Sequence, residues 1–213
     1  MDDGAFCFMD AREIHTSYGM VRAKIVGVGQ TVIFIHGRVP PLAGWQSWAS
    51  TLEPVAEAGS RAVAVDLPGY GEAARPEGAI STESAVDCVL ELFDRMSIHR
   101  AALVGHNWGG LIAWRAALLG KNRVTKLVLI AAEGAEQMGR DLRGESQTPT
   151  LIVWAEEDSY LPASHAQVFA NAIPGARKHI FARGESQPKL GSAEAPQLAG
   201  KPFNDVLIPF LKE

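Results

Sequence analysis

Apolar positions fall into short unbroken runs separated by stretches of helical periodicity. Thr31-Val32-Ile33-Phe34-Ile35, Arg61 to Val65, Ala101 to Val104, Val124 to Ala131, Thr150 to Ala155 and Arg177 to Phe181 read as strands. Runs without alternation suit strands covered on both faces. Between them, Gly44 to Glu57 carries Trp45, Trp48, Leu52, Val55 and Ala56 at helical spacing. Ser81 or Thr82 caps a helix reaching about Met96, with Ala85, Val89, Leu92 and Phe93 on one face. Leu111 to Leu119, His165 to Ala172 and Pro202 to Lys212 read as further helices, the last with an internal Pro209 that removes one helix hydrogen bond. Near the start, Ala5 to Asp10 and Glu13 to Ser17 look like short strands. A turn at Tyr18-Gly19 and a return strand from Met20 to Val26 complete a hairpin. Glu133 to Gln147 reads as loop with a short helix, and Arg183 to Gly200 as a long loop.

This alternation predicts an α/β fold. It has a mostly parallel central sheet of about eight strands, antiparallel at the N-terminal edge, with helices on both faces. The expectation is one domain over residues 1–213. Composition changes little: 47% apolar and 21% charged residues are ordinary for a globular protein. A net charge of −4 offers nothing to nucleic acid or an anionic membrane. Cys7 and Cys88 match no metal or redox spacing and read as free thiols of a reducing compartment. The acidic start Met1-Asp2-Asp3-Gly4 does not resemble a signal or transit peptide, and no apolar run is long enough for a membrane span. A cytoplasmic protein is therefore expected. Asp2, Asp3 and Asp10 form no metal spacing, and Gly27-Val28-Gly29 lacks the third glycine of a dinucleotide loop. No metal or cofactor is expected.

The chemistry gathers at the carboxyl ends of the strands, where ligands bind in such sheets. His36-Gly37, Asp158 and the stretch Gly105-His106-Asn107-Trp108-Gly109-Gly110 all fall there. The last has the strand–turn–helix shape of a nucleophile elbow, G-x-S-x-G, with Asn107 at its tip. In that setting the chain resembles the α/β-hydrolase fold family along nearly its whole length. Phe34-Ile35-His36-Gly37 resembles the strand and turn before the oxyanion loop, and Asp66-Leu67-Pro68-Gly69-Tyr70-Gly71 the D-x-P-G-x-G turn. Pro149 to Asp158 is similar to the strand that delivers the triad acid. The elbow and the following Ala113-Trp114-Arg115 resemble epoxide hydrolases and haloalkane dehalogenases, whose tip residue is Asp. Those enzymes insert a helical cap before the acid strand, and Ala132 to Thr148 leave no room for one. The length, and the stretch from Ala58 to Gly69, look more like small capless α/β-hydrolase-domain proteins.

The family mechanism needs a nucleophile, a histidine base, an orienting acid and an oxyanion hole. Asn107 holds the nucleophile position, but a carboxamide nitrogen is delocalised into its carbonyl and attacks poorly. It reads as a lost nucleophile, as a replacement of Ser or Asp, or as an amide that orients a ligand. The histidine belongs after the last strand, where Glu185 or Ser186 stands instead, and no histidine follows His179. His165 reads as surface, His179 as a sheet residue, and His15 and His99 as edge or surface residues. Asp158 takes the acid position and doubles as a turn aspartate. The oxyanion donors implied are the backbone N–H groups of Trp108 and Arg38, with His36, Gly37 and His106 around them and Trp108 placed to line a pocket. Arg140, Asp141, Arg143 and Glu145 read as a solvated loop or a partner surface.

The expectation is a catalytically degenerate α/β-hydrolase-fold protein. It would bind a small carbonyl or anionic ligand or a protein partner, or serve as a subunit of a larger assembly. The alternative is an active esterase or epoxide-type hydrolase of small substrates with an atypical site, for example Glu185 activating a water.

Overall fold

The computed structural model describes residues 10–38, 44–73, 80–137, 148–158, 160–182 and 200–213. Its strands are β1 (Asp10–Thr16), β2 (Gly19–Val26), β3 (Gln30–Ile35), β4 (Ser60–Asp66), β5 (Ala101–His106), β6 (Val124–Ile130), β7 (Thr150–Ala155) and β8 (Arg177–Phe181). Its helices are α1 (Ala49–Glu57), α2 (Thr82–Arg95), α3 (Trp108–Leu119), α4 (Ser164–Ala172) and α5 (Gly200–Lys212). The strands form one eight-stranded sheet in the order β1-β2-β4-β3-β5-β6-β7-β8. β2 runs antiparallel to both β1 and β4, and every pairing from β4 to β8 is parallel. Among the described residues no helix is long and apolar enough to cross a membrane.

The unbroken apolar runs become the central strands because both faces of the sheet are covered. On one face Phe34, Ala64, Val104 and Val153 pack with Leu52 and Val55 of α1 and Phe203 and Leu207 of α5. On the other, Ile33, Val63, Leu103 and Leu129 pack with Val89 and Leu92 of α2, Ile112 of α3 and Phe169 of α4. α3 lies at the middle of the sheet and is buried from Trp108 to Ala117, Arg115 excepted. Ser81 caps α2 as expected, its hydroxyl accepting from the Ser84 N–H at 3.0 Å.

Two expectations are corrected, and a third is met. The break between two N-terminal strands is absent: Asp10 to Thr16 is one strand, paired with β2 from Asp10↔Ile25 to Thr16↔Gly19. Its inward signal is weak because only Ile14 is buried, so the ladder to β2 sets its extent. Residues 5–9 lie outside those described. Helix Gly44–Glu57 divides into a 3₁₀ turn, Trp45–Trp48, and α1. α5 runs to Lys212 as expected with Pro209 inside it, and Pro209 and Asp205, whose carbonyl loses its partner, both lie on the solvent side.

α1 also contains a proline, Pro54, which cannot donate to the Ser50 carbonyl one turn back. Asn204 of α5 supplies the missing donor, its Nδ2 lying 3.0 Å from the Ser50 oxygen. The other end of α5 is tied to the sheet by Lys126, whose ammonium donates to the carbonyls of Phe210 and Leu211 at 2.7 and 2.9 Å. Asn204→Ala removes this part-buried hydrogen bond and is expected to cost about 1 kcal/mol. The check is a lower urea midpoint with an unchanged m-value.

Candidate functional site

The site is built on the turn between β5 and α3. Asn107 adopts φ 53 and ψ −116, a strained combination for a residue with a side chain. Its N–H donates to the Ile130 carbonyl at 2.9 Å, and its carbonyl accepts from Gly110 and Glu133 N–H groups, each at 3.0 Å. The end of β6 therefore holds the turn in place. The neighbouring glycines are demanded by close approach. A Cβ on Gly105 would meet the backbone of Gly109, and one on Gly109 would meet the carbonyls of Ile35 and His36. The elbow geometry forecast from the glycine spacing is present.

The Asn107 side chain is 1% exposed. It does not cap α3. Neither its Nδ2 nor its Oδ1 has a hydrogen-bond partner among the described residues. Gly37 packs close by: a Cβ there would lie 3.2 Å from both the Asn107 Cβ and the His106 Nδ1. His106 itself is buried.

Arg38 and Glu133 form an ion pair that joins the turn after β3 to the turn after β6. Glu133 also holds the Asn107 carbonyl through its N–H. The Arg38 guanidinium lies over the Trp108 ring, 5.4 Å from its centroid. Trp108 is buried, packs on Tyr70, and donates its indole N–H to Thr82 Oγ1 at 3.0 Å. Its ring is thus fixed between α2 and the turn after β4.

His36 is fully buried. The Leu67 backbone N–H donates to its Nε2 at 3.1 Å, so that nitrogen is the acceptor. The proton sits on Nδ1, which donates to the Gly37 carbonyl at 2.7 Å. Both ring nitrogens are committed to backbone. Burial pushes the pKa down to about 4, against the slight upward pull of the Gly37 carbonyl. His36 is a neutral fastener of the turn rather than a proton carrier.

Asp158 is engaged locally. Its Oδ1 accepts from the Tyr160 and Leu161 N–H groups, both at 2.9 Å, the pattern of an aspartate-initiated turn. Leu161 in turn accepts from the Trp154 indole at 2.9 Å. Glu185 falls outside the described residues. His165 corrects the surface expectation: its ring is partly buried beside Trp154, centroids 6.5 Å apart. His179 lies on β8 against Phe181, with β6 and β7 between that strand and the elbow strand. Among the described residues no group of three or more His, Cys, Asp and Glu could hold a metal ion.

Sequence reading missed one structural centre beside the site. The buried Asp66 carboxylate, at the end of β4, accepts from the Trp45 N–H and, at 2.7 Å, from the Glu72 N–H. It ties the turn after β3 to the turn after β4. Burial raises its pKa, and the two N–H donors pull the other way. Gly71, at φ 53, leaves room for it, since a Cβ there would strike the carboxylate. The available signal was an acid closing an apolar run beside a Gly-rich turn.

Sheet order, elbow and flanking turns define an α/β-hydrolase fold. The family model for that fold matches residues 30–141, and the chain belongs to this family. It is 36% identical over 122 residues to an epoxide hydrolase 3 of Siraitia grosvenorii, a match covering 56% of this chain and 38% of that protein. It is 32% identical to a 2-hydroxy-6-oxononadienedioate/2-hydroxy-6-oxononatrienedioate hydrolase of Cupriavidus pinatubonensis, covering 98% of this chain and 96% of that one. That alignment runs over 284 positions against the 213 residues present here, so a sizeable part of the relative faces gaps. The chain matches less than half the length of both Siraitia epoxide hydrolases, 38% and 32%. A hydrolase from Thermoplasma acidophilum described as CIB-like superposes with a TM-score of 0.81 at 19% identity, covering 97% of this chain and 99% of that one. An esterase from Exiguobacterium antarcticum superposes at 0.78 and 18% identity, covering 96% and 100%. At these identities the likeness concerns the fold.

Proposed function

We propose that this chain is a catalytically degenerate α/β-hydrolase-fold protein that holds a small carbonyl or anionic ligand at its elbow without cleaving it. The observation that carries this reading is Asn107. The backbone of a nucleophile elbow, strain included, is retained, and its tip bears an amide that cannot be activated as a nucleophile. Both polar atoms of that amide are buried without partners among the described residues. Leaving such groups unmatched is costly, so they favour a ligand that matches them.

Two further features support it. His36 has both ring nitrogens spent on backbone, and no histidine follows His179 in the sequence. Asp158 spends an oxygen on its own turn. Oxyanion-type donors, the N–H groups of Trp108 and Arg38, need only backbone and outlast the loss of a nucleophile. A role toward a protein partner or within a larger assembly fits the same loss of chemistry.

The competing reading is an active hydrolase with an atypical base, the activity that the relatives' names carry. The two are separated by Asn107→Ser. If the base is missing, restoring a hydroxyl leaves turnover of p-nitrophenyl acetate within about tenfold of background, because an unassisted serine is a weak nucleophile. A rise of several orders of magnitude would reveal a working base and overturn the proposal.

A further inference from the structure

The geometry points to a neutral amide, such as a lactam or a primary carboxamide, as the ligand class of the elbow, in preference to esters and carboxylates. This deepens the reading that the elbow binds without cutting and rests on it.

The side chain of Asn107 offers an acceptor and an N–H donor on one carboxamide carbon, both buried and unmatched among the described residues. Beside it α3 begins, and the first N–H groups of a helix have no acceptor one turn back. Those groups, the helix dipole and Nδ2 all call for an oxygen. Oδ1 calls for the opposite, a donor. An ester supplies oxygen acceptors alone and leaves Oδ1 buried and unmatched. A carboxylate does the same and sets a negative charge against it. An amide carries a carbonyl oxygen and an N–H on one carbonyl carbon and answers both demands at once.

Charge at the corner argues in the same direction. The Arg38 guanidinium, a cation next to the elbow, is already paired with Glu133 and lies over Trp108. His36 is neutral and bound to backbone on both nitrogens. Among the described residues no side-chain cation is thereby offered to an anion there. An aspartate at the same tip would ask for donors alone, so asparagine changes what the site selects rather than merely weakening it.

The matched pair 2-pyrrolidone and γ-butyrolactone differs at one ring atom, N–H against O, and butyrate supplies the anion. Titration of each probe into the intact chain, followed by ligand-observed NMR, is expected to show the lactam binding at least about tenfold more tightly than the lactone or butyrate. Asn107→Asp, of nearly the same shape, and Asn107→Ala are both expected to erase that preference. A thermal melt of each variant confirms that it is folded. Equal binding of lactam and lactone, tighter binding of butyrate, no binding of the lactam, or a preference that survives in folded Asn107→Asp would overturn the amide assignment. Ring opening of γ-butyrolactone by the wild-type chain would instead overturn the non-catalytic reading on which it rests.

Discussion

Gly109→Ala is expected to leave little folded protein, because one added methyl group strikes backbone. A Cβ on Gly109 would fall closer than 3.0 Å to the carbonyl oxygens of Ile35 and His36 and to the Ile35 carbonyl carbon. All three belong to the backbone at the end of β3, so no side chain is free to rotate away. Relief requires parting α3 from β3, which is paired to β5 along its length. Ordinary overpacking costs about 1–3 kcal/mol, and a rigid backbone collision at the centre of the sheet is expected to exceed about 4 kcal/mol. At about 2–4 °C per kcal/mol for a chain of this size, the melting temperature falls by at least about 8 °C, or the variant fails to accumulate in soluble form. Gly175→Ala is the control. That glycine has φ +74 but nothing within 4 Å of an added Cβ. It carries only the left-handed backbone penalty of about 1–2 kcal/mol. Equal losses for the two variants would contradict the close-approach account.

The second large effect is acid sensitivity through His36. In the unfolded chain its imidazole titrates near pH 6.5, and in the folded chain burial holds it down to about 4. Above pH 6.5 both states are neutral and the group is silent. As pH falls below that value the unfolded chain takes up a proton that the folded chain refuses, so stability is lost with falling pH. The loss levels off near pH 4 at about 3 kcal/mol. His36→Gln keeps a donor and an acceptor in reach of the Gly37 and Leu67 backbone but does not titrate. Denaturant midpoints measured from pH 7 to pH 4 are expected to fall more steeply for wild type than for this variant. The difference grows by about 3 kcal/mol over that range. Parallel curves would mean that His36 is protonated in the folded chain. Asp66, whose pKa burial raises, works in the opposite sense as pH falls, and it is common to both proteins.

Much of this was legible in the sequence because its causes are local. Unbroken runs such as Thr31 to Ile35 announce strands covered on both faces. Glycines two before and two after Asn107 announce a turn where strand and helix nearly touch. What escaped were pairings between distant segments. The Asn204 amide answers a carbonyl orphaned by Pro54, but nothing near Asn204 marks it as a donor to α1. Asp66 sits in a turn that reads as ordinary punctuation, and its role appears only when Trp45 and Glu72 close on it. His165 looked like a surface residue at a helix start, yet the path of the chain after β7 lays it beside Trp154. β1 has only Ile14 turned inward, so its length is set by β2 and not by its own pattern. The absent histidine was visible by inventory, since a triad needs one after the last strand and none occurs there.

The hydrolase relatives and the unactivated tip residue pull in opposite directions, and turnover decides between them. The direct measurement is pre-steady-state release of p-nitrophenol from p-nitrophenyl acetate by the wild-type chain, with Asp158→Ala alongside. The account predicts no burst and a rate equal to background for both proteins. A burst, or steady turnover in wild type that Asp158→Ala abolishes, would show that the elbow cuts as well as holds.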